Sequence, residues 1–547
     1  TSPDDKYQRS PGNSGGFIVT MNTFVTQDFG FEIERLSHFQ GGLVLRQHKK
    51  VSCQPSLQHA GMPEKLLIAI KANHGQTSEP VVQVGDHVLK GQVIAYPTHP
   101  FGAVFHAPTS GEITSIATHN TASPNAVADT CITLKPNGHD QWIEKQPDIE
   151  LPTTASQIIE QIKAAGIIGM GGAGFPTHIK YDHPYPQVET TLIINGAECE
   201  PYISCDERLM LDHPRAIIKG TLWLLKAAMS KKAIIAIEDN IGGVKQQLDA
   251  EIKQQNTNQD DYQISVVKVP TIYPTGGEKQ LIKVLTGLEV PSGQTPLALG
   301  IIMQNVATTK AVYDAIELNR PLLERVVTVT GDVVTEPRNF TALIGTPFHH
   351  LLSLAACDFA AMDKLIIGGP MMGYTMPHDE IGVEKTTNCL LALPADYTKP
   401  EIEAMPCIRC GDCIKVCPQE LLPQQLLWYI NGNDAHNDLE KARDHHVFDC
   451  IECGACSWVC PSHINLVDFY RFAKSELTYL DHKKTKAQVA KQRHDERAAR
   501  LEQIKTEQQA KRRSKTSKLI DKKSAKAEIS AVLARIKQQE SAKQKDE

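Results

Sequence analysis

The chain has 547 residues, 41% of them hydrophobic, which is enough apolar material for roughly three or four packed domains. A formal net charge of -6 argues against a general nucleic-acid role. No stretch reaches the roughly 18 apolar residues of a membrane span, and residues 1–20 lack the apolar core of a secretory signal. Those first residues are rich in Ser, Pro, Gly and Asp and read as a disordered leader.

Between 63 and 115 the pattern is β. Val82 to Ile94 reads as strand, turn and strand, with Gly85-Asp86 at the turn, and a second turn falls at Ser110-Gly111. This resembles the barrel-sandwich hybrid of biotinyl and lipoyl domains. The segment Tyr96–His106, where a carrier domain bears its lysine, contains no Lys, so a structural module is expected.

From 151 the chain alternates helix and strand. Ala155–Ala165 places Ile158, Ile159 and Ile162 on one helical face. A glycine-rich loop follows, Gly169-Met-Gly171-Gly172-Ala173-Gly174-Phe175-Pro-Thr177, with Lys180 beyond it. Such a loop ahead of a helix offers bare amides and a dipole to a phosphate, although it also serves as a plain tight turn. Thr191–Ile194 and Lys232–Ile237 read as buried strands of an α/β domain, whose ligands sit at strand carboxyl ends. Tyr273-Pro-Thr-Gly276-Gly277-Glu278-Lys279 reads as a turn, and Gln304–Thr309 opens a helix with Asn305 or Thr308 as its cap. Residues 325–375 read as a small β-rich domain.

The strongest signal lies near the end. Cys407, Cys410, Cys413 and Cys417-Pro418 repeat as Cys450, Cys453, Cys456 and Cys460-Pro461. The spacing C-x2-C-x2-C-x3-C-P is the bacterial ferredoxin run, in which the fourth cysteine reaches the other cluster. The expected sets are Cys407, Cys410, Cys413 with Cys460, and Cys450, Cys453, Cys456 with Cys417. Zinc, which favours separated pairs, fits this spacing poorly. A disulfide framework belongs to short secreted chains. Eight ligand cysteines among fourteen imply a reducing compartment. The other six, Cys53, Cys131, Cys199, Cys205, Cys357 and Cys389, lack ligand spacing. Beyond a short helix at Ile464–Leu480, residues 475–547 hold 20 Lys and Arg against 11 Asp and Glu. This local balance of +9 leaves -15 on the body, and the tail reads as a long solvated helix or a disordered arm.

The glycine-rich loop, Glu198-Cys-Glu200-Pro-Tyr202 and the double cysteine run together resemble the C-subunit family of the Rnf electron-transport complex, over most of residues 30–475. The α/β part is also similar to the NADH-binding flavoprotein subunit of respiratory complex I. That resemblance implies FMN lined by Gly169, Gly171, Gly172, Ala173, Gly174, Lys180, Asn195, Asn305 and Thr308. It implies that Glu198, Glu200, Tyr273, Gly276 and Glu278 border flavin and nicotinamide, and that Phe175 stacks on the dinucleotide. Gly277 replaces an acid of the complex I pattern and Met170 an arginine, both on the NADH side. The sodium-pumping quinone reductase A subunit shares much of the fold but lacks the cluster cysteines.

The fold expected is therefore multidomain, α/β and α+β. It comprises a barrel-sandwich hybrid at 21–145, a Rossmann-like FMN/NADH domain at 146–320 and a β-grasp-like domain at 321–395. A helical two-cluster ferredoxin domain at 396–475 and a charged tail at 476–547 complete it. The resemblance implies an NADH-dependent oxidoreductase subunit of the translocase class, passing electrons from NADH through FMN and two 4Fe–4S clusters, or the reverse. Its partners would be membrane-embedded and peripheral subunits, including a ferredoxin-like one, with ferredoxin or flavodoxin engaged indirectly and no nucleic acid. Its place would be peripheral, on the cytoplasmic face of the bacterial inner membrane. Two other readings stay open: a soluble flavo-iron–sulfur subunit of the hydrogenase or formate dehydrogenase type, and a cluster-carrying docking subunit with a degenerate nucleotide site.

Overall fold

The structure is a computed structural model, which describes residues 36–72, 76–144, 151–182, 190–255, 261–397, 403–432 and 435–543. The expected leader at 1–20 lies outside the described residues. The chain forms two compact units, residues 1–428 with 448–467, and residues 429–447 with 468–547.

In the first unit the N-terminal region forms two four-stranded antiparallel sheets. One runs in the order Leu66–Ala69, Ala128–Pro136, Gly111–Asn120, His87–Val88, and the other Lys71–Ala72, Gln76–Pro80, Val93–Pro97, Phe105–His106. Alternating residues point into one core, where Leu66, Ile68, Ile94, Ile113, Ile132 and Leu134 are fully buried. The strand expected at Val82 instead occupies Gln76–Pro80; Val81 and Val84 are exposed and lead into a turn where Gly85 takes φ 94°. A side chain at Gly111 would place its Cβ 2.2 Å from the Lys135 carbonyl, so the crossing of these strands requires glycine.

The parallel sheet runs Gln263–Val269, Lys232–Glu238, Thr191–Gly196, Ile301–Asn305, in register Thr191↔Lys232 and Thr191↔Ile301. Helices cover it, so Leu192, Ile193 and Ile194 are all buried in succession, as expected for a strand buried on both faces. Helix Ala155–Ala164 begins with a capping box at Thr154 and Gln157. Helix Val306–Glu317 is capped by Asn305, which also ends its strand; Thr308 lies inside the helix.

The fourth sheet is mixed, in the order Gln58–His59, Arg338–Leu343, Glu324–Thr330, Cys389–Pro394, Met362–Ile367, Tyr374–Met376. Its first strand comes from far outside 321–395 and pairs Gln58 with Phe340 in parallel. Nothing in a two-residue strand carries enough periodicity to announce that pairing.

The cysteine segment repeats its backbone as well as its spacing. Arg409 and Glu452 both take φ 57°, Gly411 and Gly454 take φ 81° and 77°, and Glu420 and His463 both take φ 53°. Each half carries a one-turn helix, Asp412–Lys415 and Ala455–Trp458.

In the second unit, Arg443 of helix Ala435–Asp444 makes a two-pronged ion pair with Asp481, both contacts at 3.0 Å, and Lys484 reaches Glu440 at 3.1 Å. Asp481 and Lys484 lie on one helix spanning Leu466–Lys543. The short helix and separate tail expected from sequence are thus one element, since the run contains no Gly or Pro and is rich in Ala, Lys, Arg, Gln and Glu.

Candidate functional site

The carboxyl ends of the parallel strands converge with the glycine-rich loop. Asn195 Nδ2 donates to the Gly276 carbonyl at 2.8 Å, and its Oδ1 accepts the Ala197 amide at 3.0 Å. Gly276 packs so tightly that an added Cβ would lie 2.2 Å from the Ala197 carbonyl. Asn305 Oδ1 accepts the Ala307 amide at 2.8 Å, while its Nδ2 donates to Asp206 at 2.6 Å. Gly171 lies against the Asn305 side chain, 3.3 Å from where its own Cβ would be, and the Met170 amide donates to Thr308 Oγ1 at 2.9 Å.

The loop closes on itself. Gly169 donates to the Phe175 carbonyl at 2.7 Å and Gly174 to the Gly169 carbonyl at 3.1 Å. Among the described residues no hydrogen bond engages the amides of Gly171 and Ala173, and the space beside Gly172 is open. Those amides are what an anionic group requires. The helix expected after the loop is only a 3-10 turn, Thr177–Lys180, so the dipole part of the expectation does not hold. Lys180 Nζ donates to the Met303 carbonyl at 2.8 Å and pairs with Glu278 at 3.4 Å. Phe175 meets Phe101 of the sandwich module edge to face, with centroids 5.8 Å apart.

Behind the strand ends lies a group of buried charges. Glu198 accepts the Asp206 amide at 3.2 Å and the Cys205 thiol at 3.2 Å. Withdrawal from water, with Asp206 beside it, lifts the Glu198 carboxyl to about 8. Lys49 donates to the Glu198 carbonyl and pairs with Glu238 at 3.4 Å, both partners being buried. Burial works against the Lys49 charge, but Glu198 and Glu238 outweigh it and raise its pKa. Glu200 accepts the amides of Met371 at 2.7 Å and Met372 at 3.0 Å, and burial holds its carboxyl at about 7.

Several contacts lead from here to the cysteine segment. The Tyr273 hydroxyl donates to the Cys453 carbonyl, and Tyr273 is almost wholly buried. A Cβ on Gly454 would lie 2.6 Å from the Met371 carbonyl, and one on Gly41 would lie 2.6 Å from Val416. Tyr273, Cys199, Cys453 and Ala455 share one small core with Leu43, Met371, Val416 and Ile451.

The eight cysteines fall into two groups. Cys407, Cys410, Cys413 and Cys460 line one cavity. Burial raises the thiol of Cys456, and Cys450, Cys453 and Cys417 raise it further by proximity. Burial likewise pushes Cys453 up to about 12. Among the described residues no three cysteine sulfurs lie within 4.8 Å of one another. A tetrahedral zinc, with Zn–S about 2.3 Å, would need sulfurs about 3.8 Å apart.

Comparison with known proteins agrees with this anatomy. Residues 37–139 match the RnfC barrel sandwich hybrid domain, 162–314 the Nuo51 FMN-binding domain and 399–461 the 4Fe-4S dicluster domain. The C subunit of the ion-translocating oxidoreductase complex of Serratia proteamaculans is 42% identical over 93% of this chain and 70% of its own length. That of Yersinia enterocolitica is 43% identical, over 88% of this chain and 68% of its own. The chain belongs to the C-subunit family of ion-translocating oxidoreductase complexes. An NAD+-reducing nickel–iron hydrogenase in its H2-reduced state is 19% identical, with a TM-score of 0.42 over 58% of this chain and 60% of that one.

As a family member the chain is an electron-transfer subunit of an Rnf-type complex, with an oxidoreductase role and other subunits of the complex as partners. No helix among the described residues is long and apolar enough to cross a membrane. The structure brings Gly171, Asn305, Thr308, Asn195, Gly276, Glu278 and Lys180 to one region. Sequence reasoning missed Lys49, Phe101, Asp206 and Glu238. Glu238 ends a strand at the carboxyl edge, a position that marks a candidate in any α/β sheet. Lys49 had no such signal.

Proposed function

We propose that this chain is the electron-input subunit of a membrane-bound NADH:ferredoxin or flavodoxin oxidoreductase that moves ions, working in either direction. FMN, when bound, supplies the conversion between two-electron hydride chemistry and one-electron transfer, and two 4Fe–4S clusters supply single-electron sites. The single observation that carries the reading is the contiguous path from the glycine-rich loop to Asn305, across the strand pair to Asn195, and on through Gly276, Cys199 and Tyr273 to Cys453.

Each residue has a task. The amides of Gly171 and Ala173, with Gly169, Gly172 and Gly174 shaping the loop, hold the phosphate of FMN. Lys180 leaves the Met303 carbonyl to meet that charge, and Thr308 and Asn305 fix the loop from below. Asn195 and Gly276 present fixed dipoles to the flavin edge. Glu198, Glu200 and Glu278 orient the dinucleotide by hydrogen bonding, without proton catalysis. Phe175 and Phe101 form an aromatic wall for its base. Cys450, Cys453, Cys456 and Cys417 hold the cluster nearer the flavin. Cys407, Cys410, Cys413 and Cys460 hold the outer one, where Cys407 and Cys410 are exposed to a ferredoxin-like partner subunit. Thiols raised by burial become thiolates only against a metal charge, so cluster loading sets their protonation. The expected location is the cytoplasmic face of the inner membrane.

The test is anaerobic. Iron, sulfide and released FMN are quantified on the purified chain, and its visible spectrum is recorded on adding NADH. About eight irons, one FMN and bleaching by NADH are expected. Eight irons without flavin or response would leave a cluster-carrying docking subunit.

A further inference from the structure

We propose that the C-terminal helix docks flat on the surface of an anionic phospholipid bilayer. From His482 to Ser541 every residue of this helix is exposed. Its large apolar residues are nevertheless ordered in space. Ile529, Val532, Leu533 and Ile536 follow the spacing i, i+3, i+4, i+7 of one helical face. At 3.6 residues per turn these four lie within about 100° of arc, and further back along the helix the same arc is interrupted by Lys511, Lys515, Lys518 and Lys522, so the apolar patch is confined to Ile529–Ile536. Ile529 is 62% exposed and Leu533 56%, so the face is uncovered.

The charge says what covers it. Residues 511–543 carry eleven Lys and Arg against three Asp and Glu, while the body of the chain is strongly acidic. Around the patch Ile529–Ile536, Lys526 and Lys537 lie toward one edge and Arg535 beyond the other, while Lys522 falls in line with Ile529 and ends the patch on its N-terminal side. An apolar stripe edged by lysines is the pattern of a helix lying in the headgroup plane. Each Lys or Arg at a negative bilayer strengthens binding about fivefold, and the field fades within a Debye length. A second copy fits poorly. In heptad register with Ile529 and Ile536, the neighbouring core positions are Lys515, Lys518, Lys522, Gln539 and Lys543, which would end the seam. A nucleic acid would use the charge but not the stripe, and no aromatic follows Tyr479 for stacking on bases.

The full chain is sedimented with vesicles of phosphatidylcholine alone, or of phosphatidylcholine and phosphatidylglycerol in equal parts. Binding is expected only to the second, weakening about tenfold or more on moving to about 1 M salt. The variant Ile529→Gln/Val532→Gln/Leu533→Gln/Ile536→Gln keeps good helix formers and should lose about tenfold in vesicle binding at unchanged helical circular dichroism. The variant Lys522→Gln/Lys526→Gln/Arg535→Gln/Lys537→Gln should lose more. No vesicle binding, equal binding to neutral vesicles, or full binding by the apolar-stripe variant overturns the proposal. So does tight binding to duplex DNA without vesicle binding, or a dimer through this helix in sedimentation velocity. The NADH-bleaching experiment does not involve this helix, so failure here leaves the electron-transfer reading standing.

Discussion

The cysteine segment and the strand-end site are built on opposite plans. Every cysteine of the first lies between Cys407 and Cys460, and its two halves repeat the same left-handed positions, Gly411 and Gly454 among them. The second draws Lys49, Phe101, the glycine-rich loop, Glu198 to Asp206, Gly276 and Asn305 from one strand end and from loops and helix starts far apart in the chain. A site made from one short segment is set by spacing, and so tolerates changes elsewhere. A site assembled from distant segments depends on each packing contact that brings them in. Under the proposed function electrons would need both, the dispersed site to enclose a dinucleotide and the compact one to wrap two clusters.

The largest effect expected from this contrast separates the cysteine groups. Cys453→Ser and Cys410→Ser should each remove about four of about eight irons. Cys453→Ser should also abolish NADH-driven reduction of the remaining cluster, because Cys453 sits where Tyr273 meets the segment. Cys410→Ser should leave that reduction intact. Iron analysis and electron paramagnetic resonance after NADH would decide it, and identical behaviour of the two variants would break the proposed order.

Next in size is Lys49→Met. It strands Glu238, which is almost wholly buried, and should cost about 3–5 kcal/mol in denaturant unfolding. Adding Glu238→Gln should recover part of the loss. Unchanged stability in the single variant would mean that the dispersed site does not depend on its N-terminal lysine.

Phe101→Ala should raise KM for NADH about three- to tenfold and leave kcat within about twofold, as loss of one aromatic partner implies. Unchanged steady-state kinetics would remove the sandwich module from the site.

The smallest effect concerns pH. The Glu200 carboxyl stands at about 7 in the folded chain, against about 4.3 unfolded. Its contribution is fully present below the unfolded value and is lost as pH rises through the folded one. Glu200→Gln should therefore flatten the fall in Tm between about pH 4.5 and 7 by a few degrees at most, measured by thermal unfolding. A parallel shift of the whole curve would instead point to lost hydrogen bonds with Met371 and Met372.

Much of the molecule was legible. The buried runs Thr191–Ile194 and Lys232–Ile237 announced a parallel sheet, and both strands form within it. Asn305 was legible as a cap because its side chain serves a neighbour two residues on. The strand Gln58–His59 was not, because its only order comes from its partner Phe340. The helix after the glycine-rich loop was expected and is absent, since Pro176 and the return of Phe175 to Gly169 leave room for one turn.

The sequence by itself determined what depends on spacing along the chain: the cysteine repeat, the strand runs and the helix that contains neither Gly nor Pro. Tertiary structure alone decided which charges share a buried space. Lys49 meets Glu198 and Glu238 across more than a hundred residues of chain, and neither period nor motif encodes such a meeting. The reason is physical. Periodicity records which face of one element is buried, whereas a buried ion is tolerated only where another element delivers its partner.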